Sequence, residues 1–225
     1  MKKEKSHFSL EGDTLVLDMG IIAPVKKFAR ANYLVLDNFL TEEELGDLWR
    51  FTISKEKELR PSRVYKADTG TGEVDTTRRR SRVFSELGDF RALFDARVRA
   101  AAPQVFSHLG IRPFTIDHID AQITATGNGE FFKAHTDNGH TPHKKRRISY
   151  VFYYYREPKP FTGGELRIYE PTTGDATKKK YKTITPTQNT VVFFDSGALH
   201  EVMPVRAVSD DVQASRFTLN GWIYK

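Results

Sequence analysis

Downstream of Pro113 the chain breaks into short apolar segments separated by turn-forming residues, and this rhythm restricts its fold more than any other feature. The segments are Ile119 to Thr124, Ile148 to Tyr155, Glu165 to Tyr169, Thr183-Ile184, Val191 to Phe194 and Phe217 to Tyr224. Between them stand Gly127-Asn128-Gly129, Asp137-Asn138-Gly139, Gly163-Gly164 and Asp195-Ser196-Gly197. Runs this short suit strands, and Gly, Asn and Asp supply the backbone conformations that tight reversals need. The expectation is an antiparallel β-sandwich or barrel.

The upstream half reads differently. Leu15-Val16-Leu17 and Tyr33 to Leu36 look like short strands. Thr41 to Glu44 forms a capping-box pattern ahead of Leu45, Leu48, Trp49 and Ile53, which share one helical face. A second helical stripe, Leu93, Phe94 and Val98, begins near Phe90; Pro103 is expected to kink or split it and Gly110 to stop it. Arg60 to Glu86, between the helices, is polar and reads as a long loop ending in the short strand Ser81 to Phe84. In 225 residues there is no internal repeat and no low-complexity linker, so one domain is expected. Residues 1–115 would supply support strands, helices and a substrate-side loop, and residues 116–225 a β core with the helices packed outside it.

Composition enters as a set of exclusions. The chain has no cysteine, which removes disulfides, thiolate nucleophiles and Cys-ligated zinc or iron–sulfur sites. Any metal must rest on His, Asp, Glu and water. No apolar run approaches the length of a transmembrane helix, and the basic Met1–Ser6 opening is followed by no apolar signal core. No membrane partner is expected, and the expected location is cytoplasmic. The net charge of +6 is clumped at Arg78-Arg79-Arg80, Lys144-Lys145-Arg146-Arg147 and Lys178-Lys179-Lys180. Solvated loop faces are the ordinary reading of such clusters, and attraction to an acidic partner or RNA the sharper one. No zinc-finger, RNP1-like or helix-turn-helix pattern accompanies them, so nucleic acid is not an expected partner.

Within these bounds Phe131 to Asp137 is the most informative stretch. On a strand, residues i and i+2 point to one face, so His135 and Asp137 can share a ligand sphere while Thr136 points away. His200, just after Val191 to Phe194 and the Asp195-Ser196-Gly197 turn, is the best candidate for a third ligand. Two imidazoles and one carboxylate on one side of a metal make a facial triad with three open positions. An HxD pair alone is weak evidence, because chance accounts for most of them. Arg216, which opens the last strand, adds weight: its planar fork is the side chain best shaped to hold a carboxylate, and Thr218 shares its face.

Residues from about Ile116 to Lys225 resemble the catalytic domain of the prolyl-hydroxylase-like family of Fe(II)/2-oxoglutarate dioxygenases. The matching pieces occur in that family's order. They are Gly127-Asn128-Gly129, His135-Thr136-Asp137-Asn138, Phe152 to Tyr155, Gly163 to Ile168, Val191 to Asp195, His200 to Val205 and Arg216 to Trp222. The first 115 residues match more loosely. The resemblance implies a mainly β fold with flanking helices around a double-stranded β-helix (jelly-roll, cupin-like) core. It implies His135, Asp137 and His200 as iron ligands and catalytic residues, and Arg216, with Thr218, as partner of the 2-oxoglutarate carboxylate. It also implies a 2-oxoglutarate-contacting tyrosine where Tyr154 stands, with Tyr150 the second candidate. The cofactors implied are Fe(II), 2-oxoglutarate and O2, with ascorbate as reductant.

The implied reaction is hydroxylation of an unactivated C–H bond, with a prolyl residue in a peptide or protein as one substrate class and a free amino acid or natural-product intermediate as the alternative. A carboxylate at Asp137 points to hydroxylation, because halogenating relatives vacate that position. One departure stands out: the family often has a tyrosine about ten residues before the first His ligand, where this chain has Ala125-Thr126. Arg80 and Arg82 are the expected substrate-binding residues, on an Arg-bearing strand beside the iron. His118 reads as structural, and His140 and His143 as loop residues. Two rivals from other classes are a non-catalytic cupin-like binding protein and an RNA-associated factor. Oligomeric state is left open.

Overall fold

A computed structural model describes residues 8–11, 14–17, 20–24, 32–66, 70–139, 143–171 and 180–225. Chain contacts divide into two units, residues 1–30 and 31–225. The first unit is a three-stranded antiparallel sheet of β1 (Phe8–Glu11), β2 (Thr14–Leu17) and β3 (Gly20–Pro24). The second holds everything else, so residues 31–115 belong to the same unit as the β-rich half.

That unit opens with β4 (Tyr33–Asp37) and α1 (Glu42–Ser54). The capping box is present in both directions: Glu44 N donates to Thr41 Oγ1 and Thr41 N to Glu44 Oε2. Five short strands follow, β5 (Arg60–Pro61), β6 (Val64–Lys66), β7 (Thr71–Glu73), β8 (Arg79–Arg80) and β9 (Arg82–Phe84); the first four lie where the sequence reads as a loop, and β9 is the expected strand. Strands of two or three residues leave no apolar period to recognise, and long-range pairing alone holds them. Helix α2 (Asp89–Leu109) then continues through Pro103 and is not split by it. The exposed proline removes one backbone donor, a loss of about 3 kcal/mol. Val98, Ala102, Val105 and Phe106 around it are buried, and each large one contributes about 1.5–3 kcal/mol, so the packed face wins. Gly110 ends the helix in a left-handed conformation, φ 65°, as expected.

The β half comprises β10 (Ile119–Thr126), β11 (Phe131–His135), β12 (Arg146–Tyr154), β13 (Phe161–Gly163), β14 (Leu166–Tyr169), β15 (Tyr181–Ile184), β16 (Thr190–Asp195), β17 (His200–Val202), β18 (Val205–Ala207) and β19 (Arg216–Tyr224). One sheet has seven strands in the order β4-β16-β12-β19-β10-β9-β5, and another has five in the order β15-β14-β17-β11-β8. Following the chain from β10 to β12, successive strands alternate between these two sheets, and β14, β16, β17 and β19 continue the alternation. This is the winding of a double-stranded β-helix, or jelly roll.

Register gives the seven-stranded sheet two unlike faces. Paired residues project to one side, and Ile119↔Ile223, Ala121↔Gly221, Ile123↔Leu219 and Ala125↔Phe217 build an apolar face. Across β12 that face continues through Tyr150, Phe152 and Tyr154. With Leu48 of α1 and Phe94 and Val98 of α2 it forms the main core. The opposite face carries Gln122, Thr124, Thr126, Asn220, Thr218 and Arg216, and these line a cavity. Among the described residues no helix is long and apolar enough to cross a membrane.

Candidate metal centre

His135 closes β11 and His200 opens β17, its antiparallel neighbour, with the two residues directly paired. Their rings lie 4.2 Å apart between centroids. Asp137 is not on the strand with His135, as the i, i+2 reading supposed, but in the bend after it. It is held there from the far side: its backbone N–H donates to Ser196 O at 2.9 Å, and Ser149 Oγ donates to its Oδ2 at 2.6 Å. The bend brings Asp137 Oδ1 to 3.6 Å from His135 Nε2 and Oδ2 to 3.5 Å from His200 Nε2. Among the described residues these three form the one cluster of metal-ligating type, with donor atoms all within 4.8 Å of one another.

Hydrogen bonding fixes which nitrogens face the cluster. His135 Nδ1 sits 2.8 Å from Lys133 O and His200 Nδ1 2.9 Å from Ala198 O. A carbonyl can only accept, so each Nδ1 carries the hydrogen and each Nε2 presents a lone pair. Electrostatics agree. Burial pushes the His200 imidazolium down to about 4, with nearby His135 adding to the effect against Asp137 and the Ala198 carbonyl. Burial by itself would raise the Asp137 carboxyl, but His200, His135 and the Ser149 hydroxyl overcome it and hold the group well below the usual carboxylate range. A neutral imidazole beside an ionised carboxylate is the protonation state that metal binding requires. The donor set of two nitrogens and one carboxylate, with the rest of the cavity open before it, suits a divalent metal of the ferrous kind.

At the other end of the cavity lies Arg216. It is 2% exposed, and its Nε and one terminal nitrogen have no hydrogen-bond partner. Its guanidinium stands 4.9 Å from the Tyr153 ring centroid, and it is the neighbour that acts on the buried Tyr153 hydroxyl, which has no partner of normal hydrogen-bond geometry. Buried orphan donors of this kind are costly, and a carboxylate reaching in from the cavity would satisfy them. The Gly163-Gly164 turn makes room: a Cβ on Gly164 would sit 2.6 Å from Arg216 Cδ. Thr218, expected beside Arg216, lines the same cavity, and so does Thr126, at the departure from the expected tyrosine.

The two expected tyrosines are placed otherwise. Tyr154 points to the helix side, its hydroxyl 2.8 Å from Thr52 Oγ1 and its ring stacked on Phe217. Tyr150 lies on that same face; its hydroxyl edges the cavity but donates to Asp120 O at 2.8 Å. The alternation from Ile148 to Tyr154 is right, but it is the core face, and the cavity face carries Ser149, Val151 and Tyr153. Ser149, the lone polar residue of that alternation, was the available signal. Arg80 and Arg82 line neither cavity wall, whereas Arg79 does, because β8 turns its odd position inward. Arg79 Nε donates to Ser81 Oγ at 2.9 Å and its guanidinium lies 4.7 Å over the Phe132 ring. Burial pushes Arg79 down to about 10, against the pull of Asp137. His118 stacks on Tyr224, and His143 lines the outer mouth beside Tyr65. His140 lies outside the described residues.

Residues 121–224 match the family model of the 2OG-Fe(II) oxygenase superfamily. The chain is 35% identical over 202 residues to an uncharacterized PKHD-type hydroxylase of Synechocystis sp.. That alignment takes in 88% of this chain and 65% of the relative's length, so the chain spans about two thirds of the protein it matches. Among solved structures, a Pseudomonas putida prolyl-4-hydroxylase shares the fold with a TM-score of 0.60 at 21% identity, covering 89% of this chain and 96% of its own. A Trichoplax adhaerens prolyl hydroxylase in complex with a hypoxia inducible factor peptide fragment gives 0.60 at 18% identity, covering 86% and 84%. At these identities the likeness is one of fold.

Proposed function

We propose that the chain is an Fe(II)- and 2-oxoglutarate-dependent hydroxylase of an unactivated C–H bond, a reading supported by the match of residues 121–224 to the 2OG-Fe(II) oxygenase superfamily. In this reading His135, Asp137 and His200 hold the iron, and Arg216, with Thr218 and Tyr153, holds the distal carboxylate of 2-oxoglutarate. Iron and 2-oxoglutarate, when bound, supply the oxidation: substrate, 2-oxoglutarate and O2 give hydroxylated substrate, succinate and CO2, with ascorbate as the reductant that keeps iron ferrous.

The chain's own contribution is positional. The Lys133 and Ala198 carbonyls fix both imidazole tautomers, and Ser149 and Ser196 fix the carboxylate, so the triad is organised before any ligand arrives. Val151, Leu166, Phe194 and Val202 line the space between triad and arginine with apolar surface that keeps water from the reacting atoms. The observation that carries the reading is a single cavity with a His-Asp-His cluster at one end and an orphaned buried guanidinium at the other.

The substrate class proposed from the relatives is a prolyl or similar residue in a peptide or protein. A free amino acid is the alternative. The test is conversion of labelled 2-oxoglutarate to succinate with ferrous iron and ascorbate, alongside calorimetric titration of Mn(II) and 2-oxoglutarate. Metal binding lost in His135→Ala and 2-oxoglutarate binding lost in Arg216→Gln are expected. Metal binding unaffected by His135→Ala would reject the assignment.

A further inference from the structure

Outside the triad the cavity widens into an outer mouth of about 610 Å³, whose charged side chains are mainly basic. Five arginines line it, Arg63, Arg78, Arg79, Arg91 and Arg146. They come from five places: the link between β5 and β6, the turn before β8, β8 itself, the start of α2 and the start of β12. Arg78 and Arg79 from one basic clump and Arg146 from another, far apart in sequence, therefore meet at one opening.

Four arginines elsewhere in the protein are matched by acidic side chains. Arg50, Arg97, Arg99 and Arg167 each pair with a carboxylate. At the mouth none of the five does, among the described residues. Arg91 donates to the Ser85 and Ala121 carbonyls, and Arg146 donates to Tyr224 Oη and Asp137 O while lying 3.6 Å over the Trp222 ring. These contacts orient the Arg91 and Arg146 guanidinium groups without an ion pair, while Arg79 is drawn by Asp137. The carboxylates lining the mouth are Asp120, which accepts from the Tyr224 hydroxyl, and Asp137, which belongs to the metal cluster. Like charges gathered around a concave, low-dielectric mouth focus a field outward and raise the local concentration of anions.

We propose that the substrate presented to this site carries anionic groups, carboxylate or phosphate, beside the C–H bond that is oxidised, and that the five-arginine mouth recognises them. The proposal rests on the hydroxylase reading for the nature of the site. Its test reads binding, not turnover, so the two can fail separately.

The probe is a fluorescein-labelled decapeptide with glutamates on both sides of a central proline, compared with its glutamine counterpart by fluorescence polarisation. The full chain is used with and without Mn(II) and 2-oxoglutarate. We expect the glutamate peptide to bind about ten-fold or more tightly, a difference of ~1.4 kcal/mol. Arg63→Gln/Arg78→Gln, two exposed positions, should erase most of that preference while Arg112→Gln, remote from the mouth, leaves it intact. Competition by citrate or inorganic pyrophosphate at low concentration would identify the source of the anion as a small molecule; its failure would identify an extended acidic peptide. Equal affinity for the two peptides overturns the proposal, as does an acidic preference that survives the double substitution. Tighter, equally arginine-dependent binding of a single-stranded RNA decamer overturns it in favour of nucleic acid. If Mn(II) and 2-oxoglutarate fail to bind while the glutamate preference holds, the hydroxylase reading falls and the anion site stands.

Discussion

The two faces of the seven-stranded sheet are built from the same strands by opposite parity, and they obey opposite rules. On the helix face Phe152, Leu219, Phe217 and Phe94 are fully buried, and the polar atoms that reach it are satisfied, as Tyr154 is by Thr52. On the cavity face Arg216 is equally buried yet keeps unpartnered donors. One face lowers the free energy of the chain. The other holds groups that ordinary folding would not tolerate, and such groups mark where a ligand completes the structure.

The largest effect that would sharpen this division is chemical. Asp137→Ala should reduce 2-oxoglutarate turnover by about a thousand-fold or more, over 4 kcal/mol of activation free energy, in protein that urea unfolding shows to be still folded. Succinate release and urea unfolding measured on the same preparation check both halves. On the helix face Phe152→Ala should do the reverse, lowering stability by about 3–5 kcal/mol while the folded fraction keeps its Mn(II) affinity.

The pH dependence of the metal-free protein comes next. The His200 imidazolium has a folded value of about 4 against an ordinary 6.5. Between those values the unfolded chain takes up a proton that the folded chain refuses, so stability falls as pH falls through that window. The loss is roughly 3 kcal/mol by linkage. Below it, Asp137, whose folded value is depressed, loses its own stabilising contribution as well. Urea titrations of metal-free protein at pH 7 and 4 would show it, and a flat profile that His200→Asn leaves unchanged would break the account.

Arg216→Met should weaken 2-oxoglutarate binding about a hundred-fold while leaving the ligand-free protein unchanged or about 1–3 kcal/mol more stable, because buried donors without partners disappear. Loss of stability would show that Arg216 belongs with the helix face in its energetics. The smallest contrast is between neighbouring tyrosines. Tyr154→Phe should lower stability by about 0.5–1.5 kcal/mol without touching 2-oxoglutarate affinity. Tyr153→Phe should do the opposite, and calorimetry on the pair separates them.

These contrasts follow strand parity, and parity is where local reading stops. Ile148 to Tyr154 alternates as expected, but either face of an aromatic strand could pack inward, and the pairing of Tyr153 with Thr218 decided it. The same holds on β8, where a single-residue phase puts Arg79 inside in place of Arg80. The five strands between Arg60 and Phe84 are too short to carry any period of their own.

What the amino-acid sequence determined by itself was local: the strand rhythm after Pro113, the Thr41 capping box, the Gly110 stop, and the order in which His135, Asp137, His200 and Arg216 follow one another. Residue identity, spacing and turn chemistry act over a few positions and are legible there. Tertiary structure alone decided that Asp137 reaches its place from a bend pinned by Ser149 and Ser196, that Tyr153 faces Arg216, and that five arginines meet at one mouth. Each of those depends on which distant strand lies alongside and in what register, a balance of burial and pairing summed over the whole sheet.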